Sequence, residues 1–379
     1  MVYKYNSADN HLDPNWLPKD LWQSRVGSRF REHAPRVVET DEGTFWEWEG
    51  KRQLESADGK SNYAHHERFR GMGVDTPVGS LPPSDPKLLL EHMDRAGIYG
   101  AVLFGPTRKW KIEDPTLLQE CYRAYNDFVL ELDSGDPNRI LALPILPTAL
   151  PDFCCSELER LAKQGIKAVE FPVWDVAMPV QDEGWDPLWE LAAGAGIPIC
   201  SHIGDAAGVP YPPQVRGLAK AHFSTAPTNI MRPMAQMVFS GAFERNPTLR
   251  YVYSECNIGW IPYFIEWMDR QERVRGPLRE HDDAASKLSM LPSDYFKRQI
   301  RVTFEDDPIG GRMIREGWDN ITEIAMWGAD YPHNYLTWPN PDPIIDELFD
   351  STDPALRRAI TFDRMAEFFN LEVPVSASV

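Results

Sequence analysis

Trp327-Gly328-Ala329-Asp330-Tyr331-Pro332-His333 closes an apolar segment, residues 321–330, with an acidic residue followed by a proline and a histidine. Seven other short apolar segments also end in polar residues, and each has the length of a buried strand. They span residues 2–11, 99–104, 140–146, 166–172, 197–202, 249–255 and 300–305. The chain of 379 residues is therefore predicted to contain eight such strands.

Stretches with helical periodicity separate several of these strands. Their apolar residues recur at helical spacing over about residues 85–96, 116–132, 153–164, 185–195, 231–243 and 260–274. Alternating strands and helices form βαβ units with a parallel sheet, and eight units close a barrel. We predict an α/β fold, a (β/α)8 TIM barrel in a single domain over residues 1–379, with long inserts at about 13–83 and 204–233. The first insert should contain a hairpin at residues 46–50, and the second should form loops over the barrel mouth.

The charge balance excludes several classes of partner. The chain has 39 Lys and Arg against 57 Asp and Glu, a formal net charge of −18, which repels nucleic acids and anionic lipids. No apolar run approaches the roughly 18 residues that a membrane span needs. Five cysteines, with no CxxC pair, suit a reducing compartment. Since no secretory signal is visible at the N-terminus, a cytoplasmic protein is expected.

Acidic and histidine residues end most of the predicted strands. Asp9 and His11 end the first, and their spacing places both side chains on one face of an extended chain. The fourth, fifth, sixth and eighth strands end in Glu170, His202, Glu255 and Asp330. Each residue alone could be a helix cap or a loop brace. Together at the C-terminal mouth, four carboxylates and two imidazoles would repel one another without cations, which predicts two divalent metal ions.

Four further residues are candidates for catalytic or supporting roles. His333 could carry a proton at the edge of the metal site or simply brace its turn. His222, in the second insert, could enter the pocket, although an exposed loop histidine is the more common case. Tyr331 and Asn257 flank proposed ligands and are expected to orient carboxylates.

Several motifs resemble those of the amidohydrolase superfamily, in the branch that contains aminocarboxymuconate semialdehyde decarboxylase. They are Ser7-Ala8-Asp9-Asn10-His11, Asp20-Leu21-Trp22, Ala34-Pro35-Arg36-Val37, Asp94-Arg95-Ala96-Gly97-Ile98, Ser201-His202, Ser254-Glu255-Cys256-Asn257-Ile258-Gly259-Trp260 and the stretch 327–333. The resemblance covers nearly the whole chain, and its Gly-x-Asp-Tyr-Pro-His ending is specific. It implies a distorted, metal-dependent barrel.

The proposed ligands depart from the superfamily pattern at three positions. Asp9 replaces the first histidine of the usual His-x-His motif, and Glu255 stands where a histidine is usual. Glu170 occupies the position where many binuclear members have a carboxylated lysine that bridges two metals, and a glutamate can bridge in the same way. Carboxylates lower the preference for zinc relative to iron or manganese. The set resembles that of the dinuclear non-haem hydroxylases in this branch, one of which acts on 2-aminoisobutyrate.

Three functions are compatible with these residues. The first is an oxygen-dependent hydroxylase with an Fe/Fe or Fe/Mn pair, which would use O2 and an electron donor on a small polar carboxylate or amino acid. The second is a metal-dependent hydrolase or non-oxidative decarboxylase, for which zinc would also serve. The third is a non-catalytic partner subunit. We rank the hydroxylase first, and the third function last because each non-standard position is still a carboxylate.

The inserts are rich in tryptophan. Trp16, Trp22, Trp46, Trp48 and Trp110 give more aromatic surface than the loops of one barrel need, as expected at a subunit interface. Members of this branch are commonly dimers, so a homo-oligomer or a hetero-oligomer with a paralogous subunit is expected. The alternative is that the inserts fold back over their own barrel and bury these aromatics within one chain.

Overall fold

The computed structural model describes residues 3–41, 43–54, 69, 72–77, 79–106, 110–204, 218–275, 288–333 and 337–373. Its strands are β1 (Tyr5–Ser7), β2 (Arg36–Thr40), β3 (Gly43–Trp48), β4 (Lys51–Leu54), β5 (Ile98–Leu103), β6 (Ile140–Ala142), β7 (Val169–Glu170), β8 (Ile199–His202), β9 (Tyr251–Ser254), β10 (Ile300–Phe304) and β11 (Ala325–Trp327). Eight of them, β1 and β5 to β11, lie in the segments that the sequence pattern identifies as strands.

These eight strands are parallel and lie in two sheets, in the orders β1-β5-β6 and β11-β10-β9-β8-β7. Isolated bridges join the two sheets at both seams. Ile145 bridges to Glu170 between β6 and β7, and Asn10 bridges to Tyr331 between the first and last strands. At each seam an isolated bridge replaces a continuous ladder of strand pairing. This irregular closure is the sense in which the barrel is distorted. The predicted distorted (β/α)8 barrel is confirmed.

Helices connect the barrel strands, and six of the nine longer ones lie at the positions that the periodicity predicts. The longer ones are Pro86–Arg95, Pro115–Asp133, Pro151–Lys163, Asp186–Ala195, Leu218–Asn229, Met231–Phe239, Ile261–Arg275, Pro292–Gln299 and Pro308–Arg315. Shorter ones are Leu21–Arg25, Ala242–Arg245, Asp319–Thr322, Asp342–Leu348, Pro354–Arg358 and Arg364–Phe368. Asp85, Asp114 and Asp307 each accept two backbone N–H groups at a helix start, with proline next in the chain. This pairing of an acidic cap with proline fixes where the helix begins.

The first insert contains an antiparallel sheet, β2-β3-β4, and the predicted hairpin turns at Glu49 and Gly50, both with positive φ. Trp22 packs against Trp46 and Trp110, with ring centroids 5.5 and 4.8 Å apart. The insert tryptophans are all buried within their own chain: Trp16, Trp22, Trp46, Trp48 and Trp110. Their assignment to a subunit interface is therefore wrong, because folding buries these side chains inside the chain itself.

The second insert is more regular than predicted. Residues 218–229 form a helix where loops were expected, and Pro227 lies in its last turn. There a missing N–H removes one hydrogen bond shortly before the helix ends at Asn229, so the proline is tolerated. Residues 205–217, the rest of this insert's Pro-rich and Gly-rich part, lie outside the described residues. None of the described helices is both long and apolar enough to cross a membrane.

Candidate metal centre

The first and last strands of the barrel meet at the site. The N–H of Asp330 donates to the carbonyl of Asp9 (2.9 Å), and the N–H of His11 donates to the carbonyl of Tyr331 (2.7 Å). Gly328 permits this approach, because a Cβ at that position would lie 2.6 Å from the Cβ of Asp9. The backbone therefore places Asp9, His11 and Asp330 side by side at the carboxyl ends of β1 and β11.

Four buried side chains bring their ligand atoms to one region. Nε2 of His11 lies 3.0 Å from Oδ1 of Asp330 and 3.7 Å from Oδ1 of Asp9. Nε2 of His202, at the end of β8, lies 3.7 Å from the same oxygen of Asp9. Ligands bound at about 2.1 Å to one ion are themselves about 3 to 3.5 Å apart. These separations are close to those of ligands that share a cation, and His11 belongs both to the group with Asp9 and His202 and to the group with Asp330.

The same atoms lack hydrogen-bond partners. Within the described part of the chain, Oδ1 of Asp9, Nε2 of His11, Nε2 of His202 and both carboxylate oxygens of Asp330 are buried and make no hydrogen bond. An unpaired buried polar atom costs about 1–3 kcal/mol, and a cation would satisfy all of them at once. The four residues fit a divalent metal ion.

The surroundings of His202 select the form that binds a metal. Its Nδ1 lies 2.6 Å from the carbonyl oxygen of Ile203, so this nitrogen must donate its proton and leave Nε2 as a lone pair. Burial alone would lower the pKa of His202, but the carboxylates of Asp9 and Glu255 raise it to about 9. A metal ion would have to displace a proton from this nitrogen.

His333 supports the cluster from the side. Its Nδ1 lies 2.8 Å from Oδ1 of Asp330, and its Nε2 lies 2.6 Å from Oδ2 of Asp13. Burial opposes charge on the ring, but these two carboxylates hold the pKa of His333 well above its usual range. Burial would likewise raise the pKa of Asp330, but His333 and His11 hold it well below the usual value. His333 is therefore a buried cation that keeps Asp330 ionised.

Glu170 binds a backbone group that follows β5. One of its carboxylate oxygens, Oε2, accepts a hydrogen bond from the N–H of Gly105 (3.0 Å). The described residues contain two groups in which all potential ligand atoms lie within 4.8 Å of one another. One group is Asp9, His11 and His202, and the other is His11, Asp330 and His333. Neither group includes Glu170. Four of the six predicted ligands thus converge, while Glu170 faces a neighbouring loop.

Two other predicted residues also lie away from the cluster. The hydroxyl of Tyr331 is 2.8 Å from Nδ1 of His92, so the side chain of Tyr331 packs against that of His92. The main chain of Tyr331, through its carbonyl, is what holds His11. His222 lies on the helix Leu218–Asn229 with its ring against Phe223, and it belongs to neither group of ligand atoms.

The sequence matches the model of one protein family. The family model Amidohydro_2, described as amidohydrolase, matches residues 111–362, which include His202, Glu255 and Asp330. This chain belongs to the amidohydrolase family. No curated protein shows significant sequence similarity to it.

Solved structures share the fold of this amidohydrolase. An amidohydrolase from Mycobacterium avium subsp. paratuberculosis is 18% identical with a TM-score of 0.73, and the match covers 99% of each chain. The 2,6-dihydroxybenzoate decarboxylase of Rhizobium is 18% identical with a TM-score of 0.60, over 98% of this chain and 99% of the other. A 5-carboxyvanillate decarboxylase from Novosphingobium aromaticivorans, complexed with manganese, is 15% identical with a TM-score of 0.60, over 75% and 79%.

Membership of the family makes this protein a metal-dependent enzyme, for which a divalent ion is the expected cofactor. The resemblance to the dinuclear hydroxylases finds no support in the comparisons, and neither iron nor a dinuclear centre is supported by them. The decarboxylases among the structural neighbours favour the function that we ranked second.

Glu305, which follows β10, is a site residue of the amidohydrolase that the sequence analysis missed. It is buried, and its carboxyl group lies within hydrogen-bonding reach of Asp9. Burial raises the pKa of Glu305 well above its usual range, and the charges of Asp9 and Glu255 add to this. Burial also raises the pKa of Asp9 to about 6, against the lowering effect of His202 and His11. The sequence held the signal, because Glu305 ends the seventh predicted strand.

Thr303 ties Asp9 to the strand that carries Glu255. Its hydroxyl contacts Oδ2 of Asp9 (3.2 Å) and Oγ of Ser254 (3.0 Å), and it accepts a hydrogen bond from the N–H of Glu255 (2.8 Å). Asp9 can only accept, so Thr303 donates to it and Ser254 donates to Thr303. The single proton and both lone pairs of the buried hydroxyl are then used.

Glu255 contacts the proposed ligand His202 and is partly exposed, and Asn257 follows it by two positions. Oε2 of Glu255 is 2.9 Å from Nε2 of His202, and its side chain is 19% exposed, more than that of any of the four converging ligands. Both residues have left-handed backbone, with φ of 56° and 52°, as does Asp330 with 53°. Such strain concentrates at functional sites. Oδ1 of Asn257 is buried and makes no hydrogen bond within the described residues.

Proposed function

We propose that this amidohydrolase is a non-oxidative decarboxylase of a small carboxylic acid, with one divalent metal ion held by Asp9, His11, His202 and Asp330. The observation that carries the proposal is the convergence of these four side chains without Glu170. A dinuclear oxygenase needs a bridging carboxylate between its ions, and Glu170 was the residue predicted for that role. The decarboxylases among the structural neighbours supply the reaction class.

The charges of the four residues suit this ion. Two carboxylates and two neutral imidazoles bring a charge of −2 to a buried site, which a divalent cation neutralises. When bound, the ion supplies Lewis acidity that polarises an oxygen of the substrate. His333, between Asp330 and Asp13, keeps Asp330 ionised for this purpose. Phe104, whose ring centroid is 5.1 Å from that of His202, provides an apolar wall beside the site.

Decarboxylation also needs a proton donor. The bond from carbon to the carboxylate breaks, CO2 leaves, and the electron pair that stays on carbon takes up a proton. Glu255 is placed for this step, because it is a partly exposed acidic side chain that contacts His202. Its backbone N–H is fixed by Thr303, which holds the donor in position.

Metal analysis and product analysis test the proposal together. Protein expressed with manganese, iron and zinc should retain about one divalent ion per chain. The loaded enzyme is then incubated with a panel of hydroxybenzoates and aliphatic dicarboxylates, without oxygen and in D2O. Release of CO2 with one deuterium incorporated at the vacated carbon is the expected result.

Two outcomes would overturn this function. Turnover that requires O2, with label from 18O2 in the product, would return the hydroxylase to first place. Turnover that cleaves amides or esters in the same panel without release of CO2 would assign hydrolysis instead.

A further inference from the structure

The helix Ile261–Arg275 carries an unusual share of the exposed apolar surface. Tyr263, Trp267 and Val274 are 68%, 48% and 52% exposed, and they are three of the six large apolar side chains exposed in the described residues. The other three are distributed over separate elements: Phe223, Ile309 and Trp318. Exposed apolar side chains gathered on one element mark an interaction site more often than scattered ones do.

The exposed residues follow the spacing of a helix–helix contact. Tyr263, Trp267, Arg270 and Val274 are four, three and four positions apart, so they form one stripe along the helix. The rings of Tyr263 and Trp267 are nearly parallel, with centroids 6.4 Å apart, and the guanidinium of Arg270 lies 6.0 Å from the Trp267 ring. With Glu266 and Arg273 they line a groove of about 360 Å³. The opposite face of the helix is buried in the barrel: Phe264, Ile265 and Met268.

We propose that the stripe formed by Tyr263, Trp267, Arg270 and Val274 binds the same stripe of a second copy of this chain, with the two helices antiparallel about a twofold axis. In that arrangement Trp267 faces Arg270 of the second copy, and Tyr263 faces Val274 of the second copy. Each contact occurs twice, as an isologous interface requires. The guanidinium over the tryptophan ring is a favourable cation–π pair.

The flanking charges are self-complementary in the same arrangement. Glu266 and Arg273 are exposed, lie seven positions apart and border the same side of the stripe. Antiparallel pairing places Glu266 of each copy beside Arg273 of the other. Among the described residues Arg273 has one long ion-pair contact, 3.7 Å to Asp269, and 59% of its side chain is exposed. Parallel pairing would instead set like charges against each other.

The local charge favours this face over the rest of the surface. The chain carries a net charge of −18, so two copies repel each other over most approaches. The groove is lined by Glu266 as well as by Arg270 and Arg273, so charges of both signs are available where two copies meet. The contact is also small. One helix pair buries less than the roughly 1,600 Å² of a standard interface, so a weak dimer is expected, with Kd on the order of 10 µM.

Sedimentation velocity of the metal-loaded enzyme between about 1 and 200 µM tests the proposal. The native chain should shift with concentration from its monomer mass of 43.3 kDa to twice that mass. Trp267→Ala and Glu266→Arg should each raise Kd at least tenfold. Glu266→Arg combined with Arg273→Glu should restore the native Kd, because the swapped charges again meet across the twofold axis.

Trp318→Ala is the matched control, since Trp318 is exposed to a similar extent, 44%, on another element. It should leave Kd unchanged, and metal content should be the same in all variants. A native chain that stays monomeric over the whole range would overturn the proposal. So would a dimer that survives both Trp267→Ala and Glu266→Arg, or a failure of the charge swap to restore association. None of these readouts depends on the reaction that the enzyme catalyses.

Discussion

The imidazole ring of His333 stacks on that of His11, with centroids 4.0 Å apart and planes 21° apart. At the same time both ring nitrogens of His333 contact carboxylates, of Asp330 and Asp13. A proposed metal ligand therefore has a flat, charged neighbour on one face, and the ligand beside it, Asp330, is held by the same neighbour. The positions of two proposed ligands therefore depend on one residue outside the proposed set of four.

His333→Phe should weaken metal binding without unfolding the barrel. Phenylalanine keeps the stacking surface but removes both contacts to carboxylates, and loss of such a supporting residue typically costs 10-fold to 100-fold in metal affinity. Competition with a chelator measures the effect. His222→Phe, on the helix away from the cluster, is the control and should bind metal as the native chain does. Equal affinity of both variants would show that His333 merely braces its turn.

Glu170→Gln should retain metal and activity, whereas Asp330→Asn should lose most of both. Glutamine keeps the oxygen that accepts from Gly105, so the loop contact survives and only the charge is lost. Asparagine at position 330 removes a charge from the converging set. Elemental analysis after dialysis decides between the two outcomes. Loss of one of two metal ions from Glu170→Gln would revive a bridging role for this residue.

Thr303→Val should lower both stability and metal affinity. Valine has the shape of threonine but leaves the N–H of Glu255 without an acceptor and removes the hydroxyl donor to Oδ2 of Asp9. Each buried group left unpaired costs about 1–3 kcal/mol. Thr303→Ser keeps the hydroxyl and should behave nearly as the native chain. Urea unfolding and metal titration of the two variants give the comparison, and identical behaviour would contradict the proposed hydroxyl network.

The stabilising effect of the metal should increase with pH. Folding raises the pKa of Asp9 to about 6 and that of His202 to about 9, so each holds a proton more tightly in the metal-free fold than in the unfolded chain. Their contribution to metal-free stability is present below the unfolded values, about 3.9 and 6.5, and is lost as pH rises to the folded values. A metal ion competes with these protons and gains affinity over the same range.

Thermal unfolding at several pH values, with and without a chelator, measures this linkage. The difference in Tm between loaded and metal-free protein should widen from pH 5 to pH 9. A difference that stays constant across this range would mean that neither Asp9 nor His202 is a ligand.

Glu255→Gln should keep the metal and lose the reaction. Glutamine has nearly the same shape and can still contact His202, but it cannot release a proton. Removal of a positioned acid typically lowers the rate by roughly 100-fold to 10,000-fold. The measurement is kcat on whichever acid of the panel is turned over, with Asn257→Ala, two positions away, as a comparison. Full activity of Glu255→Gln would transfer the proton donor role to another group.

The eight barrel strands and six of the nine longer helices could be predicted because their signals are local. Apolar periodicity identifies the elements, and acidic caps before proline fix where helices begin. The strand-end rule also found Asp9, His11, His202 and Asp330, since the carboxyl ends of parallel strands meet at one mouth. These predictions need no knowledge of which side chains touch.

The predictions for Glu170, Glu305 and the tryptophans depended on contacts between side chains and their surroundings. A residue at a strand end can face the barrel axis or a neighbouring loop. The sequence does not show that the N–H of Gly105 donates a hydrogen bond to Glu170. The same rule covered Glu305, which was passed over although it ends a strand. Aromatic composition likewise cannot separate Trp22, buried by folding, from Trp267, which remains exposed. That difference arises only when the insert packs on the barrel.

Asp9 and Asp330 lie more than three hundred positions apart in the chain, yet the backbone of one donates to the backbone of the other. During synthesis on the ribosome, the growing chain carries Asp9 and His11 long before the last ligand emerges. Until β11 inserts beside β1, an ion meets only part of its coordination sphere. Coordination by all four proposed ligands therefore requires the last strand of the barrel, although the group of Asp9, His11 and His202 lies entirely before it.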